Sequence, residues 1–249
     1  MYLDSTDKGI SQNLITHRIH EELPTQTFVR ELRAISAEVD NVTVFDIGTN
    51  IGYYLLIEAR TLGDRGEIYA IEPHPRNRDI ALKNIELNGY NVNISEGAIG
   101  ATTGTSELYV SDSSNKHSVN NTPVGNTCVD VIEVSEYQVD DFIESNGGCP
   151  SDINVIRMDI EGYETQVFDG MKKTLNTETP LIMFIELHTG GLLSNEQLAM
   201  SIDFFREQSF EIVDAIYDPP GRPGKRLELS QLDDLYDLTH DVHLFLKRP

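Results

Sequence analysis

Residues 46–52 read DIGTNIG. They follow the apolar run 42-VTVF-45 and precede 53-YYLLIEARTL-62, whose pattern predicts a helix. A strand that ends in an aspartate and turns through two glycines into a helix leaves room for a ligand against the backbone. Gly48 and Gly52 carry no side chain there, and the helix N-terminus supplies free N–H groups. Asp46 is expected to orient the loop. A dinucleotide-binding turn would read GxGxxG and bring pyrophosphate onto the helix dipole. Here the spacing is GxxxG, and no lysine follows as in a phosphate-binding P-loop. The usual phosphate clamps are therefore lacking. Twenty residues beyond Gly52, the run 67-EIYAIE-72 ends in Glu72, placed to hold both hydroxyls of a ribose. Strand–DxGxxxG–helix–strand–Glu thus indicates an adenosine ligand without phosphates, and S-adenosylmethionine is the expected cofactor.

The same alternation extends along the chain. Strand candidates are 42-VTVFD-46, 67-EIYAIE-72, 92-VNIS-95, 153-INVIRMD-159, 180-PLIMFIEL-187, 210-FEIVDAIY-217 and 242-VHLFLK-247. Helices are expected over 25–38, 51–62, 75–88, 163–175 and 195–208. The runs 42–46, 153–159 and 180–187 are apolar on both faces, as central parallel strands covered by helices on both sides must be. The pattern predicts an α/β, doubly wound, mostly parallel sheet. Residues 1–40 read as an N-terminal helical extension and 41–249 as the main domain. The Ser/Asn/Thr/Gly-rich stretch 111–130, between the β-like 105-TSELYV-110 and 129-VDVIEVSEY-137, is either a plain surface loop or a lid over the site.

Composition narrows the function. The net charge of −22, from 19 basic and 41 acidic residues, disfavours nucleic-acid backbones and anionic membranes. The longest uncharged apolar run, 181-LIMFI-185, is far short of the about 20 residues that span a bilayer. The start, MYLDSTDKGI, lacks the basic-then-apolar order of a signal peptide, so a cytoplasmic location is expected. Cys128 and Cys149 have no CxxC spacing and read as packing residues. Arginine outnumbers lysine 12 to 7, and the acids are spread along the whole chain. This suggests a high-salt cytoplasm, where the Debye length falls to about 3 Å at 1 M. The melting temperature is accordingly expected to rise between dilute and molar KCl; a flat or falling value would remove the high-salt reading.

DIGTNIGYY, 72-EPHPRNRDIALKNIELNG-89, 96-EGAIG-100, 157-RMDIEGYETQVFDG-170 and 185-IELH-188 together resemble the FkbM-type methyltransferases. The resemblance covers about residues 42–188, including 115-NKHSV-119, with Arg157 in place of a usual Lys and Tyr163 in place of a usual Ala. It implies a class I, Rossmann-like methyltransferase fold with a seven-stranded sheet and S-adenosylmethionine as cofactor. It also implies that Asp46, Gly48, Asn50 and Gly52 line the methionine part and that Glu72 binds the ribose. Pro73 and His74 would flank the adenosine, and Ala98 and Ile99 would cover the adenine face.

Methyl transfer needs alignment of nucleophile and methyl, and removal of a proton from a hydroxyl. Candidate groups end neighbouring strands: Asp159 and Glu161, then Glu186 and His188, whose i, i+2 spacing points both to one side. Asp159 or Glu161 could instead cap the following helix. His188 is the favoured base, because its unperturbed pKa of about 6.5 needs little tuning. A divalent ion held by these groups is the third reading, but no HxxxH or DxDxDG spacing supports it, and no metal is assigned. In 218-DPPGRPGKR-226, Arg222, Lys225 and Arg226 are either plain solvated charges or a clamp for an anionic acceptor such as a uronic acid. The expected activity is O-methylation of a small-molecule or glycan acceptor. An NAD-dependent oxidoreductase or epimerase, disfavoured by the lack of GxGxxG, and a silent adenosine-binding module are the alternatives. An oligomer is compatible with this reading.

Overall fold

The computed structural model describes residues 1–119, 128–177, 179–219 and 222–248. In chain order, α1 (Ile10–His17) and α2 (Glu22–Glu38) precede β1 (Val42–Ile47), α3 (Tyr53–Leu62), β2 (Gly66–Glu72), α4 (Pro75–Leu87) and β3 (Ile94–Glu96). Then come β4 (Ala98–Ile99), β5 (Gly104–Ser111), β6 (Cys128–Tyr137) and α5 (Val139–Ser145). The remainder is β7 (Ile153–Met158), α6 (Glu164–Phe168), β8 (Leu181–Leu187), α7 (Asn195–Glu207), β9 (Glu211–Tyr217), β10 (Lys225–Arg226) and β11 (Val242–Arg248). Among the described residues no helix is long and apolar enough to cross a membrane.

The main sheet runs β10-β9-β11-β8-β7-β1-β2-β3. β3, β2, β1, β7 and β8 are mutually parallel, while β11 is antiparallel to both β8 and β9. This is the doubly wound class I methyltransferase arrangement, with the order reversing between β1 and β7, where such sheets bind ligands. The sheet has eight strands rather than seven. The extra one, β10, is a two-residue pairing of Lys225 and Arg226 with Tyr217 and Ile216 inside a Pro/Gly-rich loop, which leaves no periodicity to read. β4, β6 and β5 form a separate three-stranded sheet beside the site.

Side-chain alternation decides what each face buries. On β1, Val42 and Val44 join Phe28, Leu32 and Ile35 of α2 in one cluster, while Phe45 and Ile47 join the opposite cluster with Met158, Ile185 and α7. The i, i+4, i+7 spacing of Phe28, Leu32 and Ile35 seats the N-terminal helix on the sheet, each side chain contributing about 1.5–3 kcal/mol. The helix expected over 163–175 is shorter. Asp140 accepts hydrogen bonds from the N–H groups of Lys173 and Thr174 and from the Thr174 hydroxyl, and Gly170 packs against the Gly100 carbonyl, so the chain turns there instead.

Candidate active site

A cleft opens at the carboxyl ends of β1, β2 and β7, roofed by the β3–β4 turn and by residues 114–119. Of the sequence-derived cofactor residues, Gly48, Asn50, Glu72, Pro73, Ala98 and Ile99 line it. Gly48 has φ +77°, and a Cβ there would sit 2.5 Å from the Asp159 carbonyl oxygen, so only glycine lets the β1 turn touch the end of β7. Gly52 (φ +81°) serves a different purpose. Its missing Cβ lets α3 approach α4, where Ala81 would lie at 3.2 Å.

Glu72 is 4% exposed. Its Oε2 accepts the Asn50 N–H at 2.8 Å and its Oε1 the His74 N–H at 2.9 Å, which ties the β1 turn to β2. Burial nevertheless raises the carboxyl to about 7. The Asn77 side chain also donates to this carboxylate, which has an acceptor position left for a hydroxyl donor. Asp46 does not reach the cleft. It is fully buried beneath the turn, where Thr49 Oγ1 donates to Oδ2 at 3.0 Å and Arg157 Nη1 lies 3.3 Å from Oδ1. Arg157 also donates to the Gly48 carbonyl (2.8 Å) and pairs with Asp159 (2.9 Å), with its guanidinium 4.6 Å from the centre of the Tyr54 ring. This buried fork gives a physical role to the arginine that departs from the family pattern. His74 stands outside the cleft with its ring 4.2 Å from that of His117, and burial together with His74 pushes His117 down to about 4.

The candidate lid 111–130 is described over 111–119 and 128–130; residues 120–127 lie outside the described residues. Its first part covers the cleft through Ser114, Asn115, His117 and Val119. The amides of Asn50 and Asn77 both donate to the Ser114 carbonyl, at 2.9 and 3.0 Å. From the other side Asp7 accepts from the Ser114 N–H and hydroxyl, and Lys8 pairs with Asp112 at 2.6 Å. Asn77 lies inside the 72–89 block without a residue pattern that marks it as a donor, and Asp7 belongs to no motif.

Among the four catalytic candidates, Asp159 and Glu161 line the cleft. Glu186 and His188 stand behind them. His188, the base favoured by its ordinary pKa, is 4% exposed and flanked by two carboxylates. Its Nδ1 lies 3.1 Å from Glu164 Oε1 and its Nε2 3.6 Å from Glu161 Oε2. Burial opposes its charge, but Glu164, Glu186 and Glu161 together hold it well above the usual imidazole range. A protonated imidazole cannot accept a proton, and Glu161 is the carboxylate beside it that faces the cleft. Burial raises Glu161 well above the usual carboxylate range; Asp159, Glu186 and Glu164 add to this, and His188 opposes it.

Glu164 was hidden in the sequence because an acid in the first turn of a helix is ordinary. Glu21 was hidden in the extension. It sits at φ +48° before α2 and accepts from the Tyr54 hydroxyl at 2.7 Å, with His20 at 2.9 Å and His243 at 4.0 Å. Two trios, Asp159–Glu161–His188 and Glu21–Glu186–His243, bring ligand-type atoms within 4.8 Å. In the first, Asp159 is already paired with Arg157 and Glu161 with His188, so we read it as an ion-pair array. The acceptor clamp expected from Arg222, Lys225 and Arg226 does not reach the cleft. Arg226 is tied to Asp214 (2.7 Å) and Thr27 (3.0 Å) at the sheet's outer edge, and Arg222 and Lys225 are exposed.

The profile of the methyltransferase FkbM domain matches residues 46–212. Over 197 residues, 71% of each chain, the sequence is 26% identical to the hexuronic acid methyltransferase AglP of Haloferax volcanii. Among solved structures it is similar to the methyltransferase FkbM of Methylobacillus flagellatus, with 16% identity and a TM-score of 0.49 over 83% of this chain and 44% of that one. It is also similar to a SAM-dependent methyltransferase of Aquifex aeolicus, with 10% identity and a TM-score of 0.46 over 95% and 97% of the two chains. The chain therefore spans less than half the length of the Methylobacillus protein.

Proposed function

The chain belongs to the FkbM methyltransferase family, and from that premise we propose that it moves a methyl group from S-adenosylmethionine to a hydroxyl of an acidic sugar. One observation carries this reading. A single cleft joins Glu72, at the end of β2, to the carboxylates of Asp159 and Glu161 beyond β7, with no phosphate-binding turn between them. Glu72 would hold the ribose hydroxyls, Ala98 and Ile99 the adenine, and the Gly48–Asn50 turn the methionine end. The cofactor supplies an already activated methyl on sulfonium sulfur. What remains for the protein is alignment, exclusion of water and removal of the hydroxyl proton, which we give to Glu161. An acidic sugar is favoured because the Haloferax relative is a hexuronic acid methyltransferase. A cytoplasmic setting of high salt belongs to the same reading.

Calorimetry with S-adenosylmethionine, S-adenosylhomocysteine and NAD, followed by transfer of labelled methyl to a hexuronic acid glycoside, tests this. Binding of NAD in preference to the other two would overturn it, as would methylation of the neutral analogue alone. Glu72 has its own signature. Hydroxyl donors favour the charged carboxylate, so ligand binding expels a proton from Glu72 below its value of about 7. S-adenosylhomocysteine should therefore bind tighter as pH rises, by about tenfold between pH ~6 and ~8. Glu72→Gln should flatten that dependence, and Glu72→Ala should weaken binding by about 1.5–3 kcal/mol. Unchanged affinity in the folded variants would remove Glu72 from the site.

A further inference from the structure

We propose that Glu164, which lies behind the cleft, holds His188 as a cation whose charge favours the ionised form of Glu161, the form that takes the acceptor's proton. The inference rests on the reaction proposed above. Glu164 is fully buried at the start of α6, yet it forms no part of the cleft wall. Its Oε1 is fixed by the Gly162 N–H at 3.1 Å and lies 3.1 Å from His188 Nδ1, so that nitrogen carries a hydrogen directed at Glu164. The ring's other nitrogen is thereby turned toward Glu161, 3.6 Å away. Glu161 itself is held at the cleft in a left-handed conformation, φ +55°.

Charge makes this order of groups necessary. Glu161 faces Asp159, Glu186 and Glu164 as well as His188. Arg157 offsets Asp159 but has no contact with Glu161, and Glu186 faces Glu21 and Asp241 in turn. A buried carboxylate among like charges takes up a proton unless a cation stands beside it. Among the described residues His188 is the cation within reach, and an imidazole this buried keeps its proton only against a carboxylate such as Glu164. During transfer the methyl carbon exchanges its bond to sulfur for one to the acceptor oxygen. The oxygen's proton passes to Glu161, which becomes a carboxylic acid and later releases it to solvent. Glu164 is therefore a positioning residue, because it acts through His188.

The test compares wild type with Glu164→Gln, an uncharged residue of the same shape. At pH ~7 kcat should fall about 10–100-fold, within the span of a general-base contribution, with acceptor KM and S-adenosylhomocysteine Kd within about threefold. The acid limb of the kcat profile should move up by about one pH unit or more, restoring activity near pH ~9. In ring-proton NMR, with His188→Gln assigning the signal, His188 should be cationic at neutral pH in wild type and neutral in Glu164→Gln. An equal loss at every pH, identical titration of His188 in both proteins, or rescue by added Mg²⁺ would overturn the proposal. If wild type bound the cofactor but methylated no acidic sugar, the proposed reaction would fail while the NMR titration still judged Glu164. Should Glu164→Gln not fold, Glu164→Asp takes both measurements, with a smaller shift expected and its absence counting against the proposal.

Discussion

Glu161→Gln is expected to lower turnover by about 10²–10⁴-fold, the contribution of a positioned general base, while S-adenosylhomocysteine binds as before. Glutamine keeps the shape and the hydrogen-bonding reach of the side chain but cannot take a proton. The backbone supports this assignment independently. A glutamate in the left-handed region costs on the order of 1 kcal/mol or more, and here it is followed by Gly162 at φ +88°. The turn between β7 and α6 thus holds Glu161 at the cleft, where Asp159 and Ile160 also contribute to the wall. Asp159→Asn should act differently, because Asp159 is committed to Arg157 at 2.9 Å, and its loss should be felt in stability before turnover. Single-turnover methyl transfer separates the chemical step from product release. A Glu161→Gln rate within threefold of wild type would move the base to Glu186.

The second large effect concerns folding. Arg157→Met is expected to destabilise the protein by about 3–5 kcal/mol, because it strands the buried Asp46 carboxylate without a counter-charge. Asp46 is fully buried and Arg157 only 5% exposed, so water cannot replace the lost partner. The substitution also releases the Gly48 carbonyl, at 2.8 Å, and with it the turn that faces the cofactor cleft. Adding Asp46→Asn should recover part of the loss, since the stranded charge then disappears. Arg157→Lys should fall between, as one ammonium cannot serve Asp46, Asp159 and the Gly48 carbonyl together. Urea unfolding at fixed molar salt measures all three variants. A loss below about 1 kcal/mol for Arg157→Met would mean that the Asp46 carboxyl is neutral in the native protein, consistent with burial pushing it upward.

The FkbM signature and the order of strands and helices were legible in the residues themselves, because both are local. DIGTNIG announces backbone angles that glycine alone adopts cheaply, and the doubly apolar runs announce strands covered on both sides. The place of Glu72 at the cleft was legible too, since the end of the second strand is a fixed place in this kind of sheet. The work of His188 was not. Its protonation depends on Glu164, 24 residues away in sequence, and on Glu161 across the gap between neighbouring strands. The same holds for the Asn50 amide on the Ser114 carbonyl, 64 residues away, and for Arg157 on Asp46, 111 away. Arg226 read as a candidate acceptor clamp until the short β10 pairing carried it to Asp214. Sequence patterns along a few turns or strands determined which backbone this chain forms. Which charges that backbone gathers, and hence which of them can hold or release a proton, was decided only by the order and register of strands far apart in the chain, because burial and the nearest opposite charge are properties of the assembled sheet.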